Sequence, residues 1–122
     1  MKCLCRYYYG HKKLDSRRQD DMDAIPQACA PYDEATRKTG QMELVGSLAF
    51  PKDARTICPT TGGPRVTAGP HGEAKESTGA FFVDAADIDE AVTVASKHPG
   101  AHLGTCFGGG IAVHPCAFVE QP

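Results

Sequence analysis

The chain has 122 residues, of which 41% are hydrophobic and 23% charged, and its formal net charge is −2. That balance suits one domain spanning residues 1–122 with a single core, and it excludes a chain disordered throughout. It also lacks the strongly basic footprint of a nucleic-acid binder, and no apolar run is long enough to span a bilayer, so neither partner is expected.

Residues 2–9, KCLCRYYY, read as a strand. Tyrosine favours strands, and both alternating faces of the run carry apolar groups. The start has no long apolar centre of a secretion signal, and Arg6 interrupts it, which points to the cytoplasm. The six cysteines are then read first as thiols. Cys3 and Cys5 share one strand face, and the alternatives are a metal site formed with a histidine, or a disulfide. No Cys-x-x-Cys pair aims two sulfurs at one zinc ion. The basic patch His11-Lys12-Lys13 with Arg17-Arg18 runs straight into Asp20-Asp21 and reads as a solvated loop.

A helix is expected from Asp20 or Asp21 to about Thr39, because Met22, Ile25, Cys29, Tyr32 and Ala35-Thr36 recur at three to four residues. Pro26 and Pro31 each remove an amide donor, so a kink or break is expected there, with Tyr32 to Lys38 the better half. Gly40 is a natural C-cap. Residues 41–49 read as a strand with Met42, Leu44, Gly46 and Leu48 on one side. Residues 55–59 and 64–68 flank Thr60-Thr61-Gly62-Gly63 as a hairpin. Residues 79–84, GAFFVD, read as a strand. Asp87 with Glu90 makes a capping-box start for a helix whose stripe is Ile88, Ala91, Val92 and Ala95, reaching about His98 before Pro99-Gly100 stops it. Residues 101–110 read as loop and 111–116 as the last strand.

Without the extra hairpin, the order is β-α-β-β-α-β, the pattern of an α+β ferredoxin-like sandwich. Two helices cover one face of such a sheet. Strands apolar on both faces then need a second cover, which a homodimer supplies most simply.

The stretch VTAGPHGEAKESTGAFFVDAADIDEAVTVASKHPGA, with MKCLC, MDAI and YDEATRKTGQ before it, resembles the YCII-related family and specifically its DGPF-motif branch. The resemblance covers nearly the whole chain and implies a dimeric ferredoxin-like α+β fold. Gly69 and Pro70 match the motif, as do Glu73, Lys75 and Glu76 after it. Ala68 replaces the motif's aspartate and His71 its phenylalanine. The resemblance also implies two function classes. One is an enzyme acting on small ring compounds through a His-Asp pair. The other is a regulatory module working with a sigma factor. The pair's histidine belongs to the first helical region, and no histidine lies between His11 and His71.

His71 is the leading candidate for acid–base chemistry, since an imidazole both takes and gives a proton near neutrality. If the segment is extended, His71, Glu73 and Lys75 share a face and Glu76 points away, where it is a candidate to bind the ligand together with Arg6, Tyr8 and His114. Glu73 then orients the ring and Lys75 steadies developing negative charge. The competing reading is a polar surface loop with weak ion pairs. Arg6 with Tyr7, Tyr8 and Tyr9 is a candidate to stack an aromatic ligand, with Arg6 and Tyr8 foremost, and sheet packing explains the tyrosines equally well. His114 alternates with Ile111 and Val113 and should face a shared cavity, or serve only as a hydrogen-bonded interface histidine. Gly108-Gly109-Gly110 lacks the spacing of a phosphate loop and precedes a strand. No motif calls for a cofactor or a metal. The leading expectation is a small cytoplasmic dimer that binds a small organic molecule, with cofactor-free lyase or hydrolase chemistry. The alternatives are the sigma-factor module and a domain whose binding ability has decayed.

Overall fold

A computed structural model describes residues 1–8, 19–49, 51–71, 77–103 and 109–122. Its strands are β1 (Lys2–Tyr8), β2 (Met42–Ser47), β3 (Arg55–Thr60), β4 (Gly63–Ala68), β5 (Ser77–Asp84) and β6 (Gly110–Pro115). Its α-helices are α1 (Gln19–Lys38), α2 (Ile88–Ala95) and α3 (Pro99–His102). β2, β5, β1 and β6 form one antiparallel sheet in that order, while β3 and β4 pair in a sheet of their own. The α+β architecture and the strand order are consistent with a ferredoxin-like fold. The expectations for Glu73, Lys75, Glu76, Cys106 and the basic patch at 11–18 lie outside the described residues.

The core grows from the period of two along β1. Cys3, Cys5 and Tyr7 point to the helices and are buried. Their ladder partners Val83 and Phe81 on β5 and Val113 and Ile111 on β6 face the same way. Phe81 and Val83 are fully buried, and each such side chain stabilises the fold by about 1.5–3 kcal/mol. Ala91, Val94 and Ala95 of α2 close the core from above. Asp87 caps that helix by accepting the Glu90 amide at 2.8 Å, and the Glu90 carboxylate accepts the Ala86 amide at 2.6 Å.

Four details differ from the sequence reading. α1 runs unbroken through Pro26 and Pro31. Both prolines sit at exposed positions, while Ile25, Cys29, Tyr32 and Thr36 continue the inward face past them. Packing along that face offsets the lost amide donors. β2 does not alternate regularly: the register shifts between Met42 and Val45, so Met42 packs on the core while Leu44 is 78% exposed. The inward stripe of α2 is Ala91, Val94 and Ala95, and Ile88 and Val92 lie at the exposed edge. Pro99 starts a helical turn instead of only ending one, with His98 as its N-cap. Gly40 does terminate α1, with φ +69° and its amide bonded to the Arg37 carbonyl at 3.0 Å.

Gly79 is required by packing. A Cβ there would stand 2.1 Å from the Tyr7 hydroxyl oxygen and 2.5 Å from the Gly46 carbonyl oxygen. The second neighbour is backbone on a paired strand and cannot move aside. Gly79→Ala is therefore expected to lower stability in urea unfolding by about 1–3 kcal/mol or more, the usual cost of overpacking.

Candidate functional site

The two sides of the sheet offer different chemistry. On the open side, away from the helices, β1 presents Leu4, Arg6 and Tyr8, β5 presents Ala80 and Phe82, and β6 presents Ala112 and His114. Leu4, Arg6, Tyr8, Ala80, Phe82 and Ala112 are half-buried there, and His114 is exposed. The Arg6 guanidinium carbon lies 5.7 Å from the centre of the Tyr8 ring, a cation–π distance. His114 is the ladder partner of Leu4, one diagonal step from Arg6. Three of the four residues expected to bind ligand thus share one open face. At its far end, Lys2 is bonded to Glu43 and to Asp84, the latter at 3.1 Å. Those bonds raise the Lys2 pKa and lower that of Asp84.

His71 stands apart from that group. It follows the left-handed Gly69 (φ +88°), whose amide donates to the Ala54 carbonyl at 2.9 Å and whose carbonyl accepts the Thr56 hydroxyl at 2.7 Å. Its side chain is exposed, with Nδ1 4.0 Å from the Cys58 sulfur. Among the described residues no hydrogen bond or ring contact joins it to Arg6, Tyr8 or His114.

On the helix side lies a histidine that the sequence reading took only as the end of a helix. His98 is 6% exposed and lies with its ring 4.7 Å from the Tyr7 ring and 4.7 Å from the Phe81 ring. The signal was present in the sequence, since His98 continues the three-to-four spacing of Ala91 and Ala95. Its Nδ1 accepts the Gly100 amide at 3.0 Å, so the neutral ring carries its proton on Nε2. Nε2 has no hydrogen-bond partner among the described residues. Burial pushes the His98 pKa down from 6.5 to about 4, against the opposing pull of Asp33 and with a further push from Arg37, both on α1. The ring is therefore neutral at pH 7. Nearby, the Tyr7 hydroxyl and the Ser47 hydroxyl are 3.2 Å apart.

His102 closes the other side of α3. Its Nε2 donates to the Ser96 carbonyl at 2.7 Å, and its ring stacks on Tyr32 of α1 at 4.4 Å. Next to it, a cleft of about 530 Å³ lies between α2, α3 and β6, lined by Ile88, Val92, Gly100, His102, Ile111 and Val113 among others. That volume falls within the usual range for small-molecule sites.

No group of three metal-ligating side chains occurs among the described residues. Cys3, Cys5, Cys29, Cys58 and Cys116 are free thiols. Burial raises the Cys5 pKa to about 12, with smaller contributions from Cys3 and Cys116. Burial likewise raises the pKa values of Cys3 and Cys29. No helix is long and apolar enough to cross a membrane, among the described residues.

Among known families, the model of the YCII-related domain matches residues 1–108. No curated protein matches the chain. Among solved structures, the chain is similar to 5-chloro-2-hydroxyhydroquinone dehydrochlorinase from Burkholderia phenoliruptrix AC1100 in complex with 2,5-dihydroxybenzoquinone. The two are 16% identical over 98% of this chain and 96% of that one, with a TM-score of 0.46.

Two outcomes are expected. The folded chain resists protonating His98, whereas the unfolded chain takes up that proton below about pH 6.5. This stabilisation is complete above that pH and is lost as pH falls toward 4, by up to roughly 3 kcal/mol at 1.36 kcal/mol per unit. Urea titrations across that interval measure it, and the slope should flatten in His98→Gln. Separately, alkylation of the native protein followed by mass spectrometry should label Cys58 well before Cys3 or Cys5, whose buried thiols hold their protons.

Proposed function

The chain belongs to the YCII-related family, and from that premise we propose that it binds a small organic molecule on the open face of its sheet, in a cavity that two copies enclose. The observation that carries this reading is the grouping of Arg6, Tyr8 and His114 on a face that neither α1 nor α2 covers. Arg6 offers a cation and Tyr8 a ring face, which suits a small planar acid. His114 supplies a hydrogen-bonding group at the edge of the same patch. Half-buried Leu4, Phe82 and Ala112 give that patch an apolar floor.

Within the family, Gly69-Pro70 with Glu73, Lys75 and Glu76 favours the DGPF-motif branch. The chemistry proposed is cofactor-free proton transfer of the lyase or hydrolase kind. His71 acts as acid or base, Glu73 orients it, Lys75 steadies negative charge on the substrate, and Glu76 takes part in ligand binding. An exposed histidine on one chain has no sheltered substrate to act on, so this step requires the second copy.

A second reading has an observation of its own. The cleft between α2, α3 and β6 is present within a single chain and has ligand-sized volume. A ligand held there would leave the open face free for the partner.

Amide chemical-shift mapping with a panel of small cyclic acids and phenols separates the two. Shifts centred on Arg6, Tyr8, Ala112 and His114 are expected. Shifts centred on Val92, Gly100 and Val113 would instead move the site to the cleft. For a substrate identified in this way, His71→Ala should reduce kcat by about 10²- to 10⁴-fold, the usual contribution of general acid–base catalysis. Unchanged turnover in that variant would remove His71 from the mechanism.

A further inference from the structure

Successive side chains of β3 point to opposite faces of the hairpin, so Thr56 and Cys58 share one face. Arg65 on β4 is the ladder partner of Cys58 and belongs to that face too. Residues directly opposed in a ladder carry their Cβ atoms about 4.5–5.5 Å apart, so the arginine stem starts beside the thiol.

A third group reaches the same face from beyond β4. Gly69 turns the chain at φ +88°, a left-handed conformation that glycine adopts without strain. Its amide donates to the Ala54 carbonyl at 2.9 Å, and its carbonyl accepts the Thr56 hydroxyl at 2.7 Å. Thr56 lies on the Cys58 face, so this second bond ties the turn to that face. His71, two residues further on, stands with Nδ1 4.0 Å from the Cys58 Sγ. A nucleophile, a base and a cation thus come together from three segments of the chain.

Their surroundings leave them accessible. Cys58 is half-buried, whereas Cys3 and Cys5 are fully buried. His71 and Arg65 are exposed. Among the described residues, Arg65 has no ion-pair partner and the His71 ring has no polar partner except Cys58. The thiolate is the reactive form of cysteine, and thiols beside histidine and arginine are the ones activated toward it. Contacts between a nucleophile and its base are often long before a reactant arrives.

We propose that Cys58 and His71 form a thiol–imidazole pair that attacks small disulfides carrying carboxylates. Nδ1 of His71 takes the proton of the Cys58 thiol. The thiolate attacks one sulfur of the disulfide, and a new S–S bond to the protein forms as the old S–S bond breaks. The departing thiolate takes the proton back from the imidazolium and leaves as a thiol. One protein thiol and one disulfide become one mixed disulfide and one free thiol, with no other oxidant or reductant involved. Arg65 favours carboxylate-bearing reactants by placing a cation beside the attacking sulfur. This chemistry goes beyond the small-ligand reading above, shares only His71 with it, and needs neither a second copy nor the open face.

The test uses the folded, reduced full chain at neutral pH. Two reagents are compared: dithiobis-nitrobenzoate, with two carboxylates, and cystamine, with two ammonium groups. Mass spectrometry times the adduct on Cys58, and each rate is divided by that of N-acetylcysteine amide with the same reagent. A free thiol is only slightly ionised at neutral pH, so wild-type Cys58 should outpace it by roughly 10-fold toward the dicarboxylate. His71→Ala should slow Cys58 several-fold toward both reagents. Arg65→Gln should cut the preference for the dicarboxylate over cystamine by about 5-fold, the weight of a unit charge at contact distance in water. A wild-type Cys58 no faster than the free thiol overturns the proposal. So does an unchanged rate in His71→Ala, or an unchanged preference in Arg65→Gln. No ring ligand is present in these reactions, so their outcome is separate from that of the shift mapping.

Discussion

Along β1, Cys3, Cys5 and Tyr7 alternate with Leu4, Arg6 and Tyr8, and the rest of the molecule depends on that alternation. A strand delivers successive side chains to opposite faces, so the central strand must serve two environments at once. The first set is buried under the helices with Phe81 and Val83. The second set is left on a face without a helix, with Phe82 as its ladder neighbour. A one-residue slip in β1 would exchange the two sets, driving the Arg6 charge into the core. Register, core and candidate ligand face are therefore one constraint seen from different sides.

On the helix side, that constraint creates a tight polar corner. Tyr7 reaches over Gly79 to the Ser47 hydroxyl, and only a glycine leaves room for it. The same ring forms one wall for His98, and Phe81 forms the other. An imidazole between two aromatic rings, holding the Gly100 amide through Nδ1, is a neutral group built into the packing. It also organises α3, since His98 is the residue that caps it. This corner contributes to stability through desolvation and shape, and its dependence on pH is a consequence of its burial.

On the open side the chain is less self-sufficient. Charges at the Lys2 end are paired with Glu43 and Asp84. The Arg6–Tyr8 end combines a cation, a ring and an apolar floor, which is a combination suited to recognising another molecule. The hairpin repeats the theme on a smaller scale, with Ile57 and Val66 exposed on one face and Thr56 and Cys58 half-buried on the other.

Local chemistry was enough to read several elements from the sequence. Alternation identified the strands, Gly40 the end of α1, and Asp87 with Glu90 the start of α2, because each depends on residues only a few positions apart. The placement of Arg6, Tyr8 and His114 on one face followed from the same period of two once the strands paired in register. Other features depended on partners distant in the chain. The helix ran through Pro26 and Pro31 because a continuous inward face outweighed the lost donors. The shift in β2 that separated Met42 from Leu44 came from its pairing with β5. The burial of His98 needed Tyr7 and Phe81 from two different strands, and the exposure of Ile57 and Val66 could not be read from the alternation of the hairpin. Sequence by itself determined which segments are strands and helices, since those are local choices of backbone and period. Tertiary structure alone decided which face of each is dry, since burial is a property of what lies across the gap.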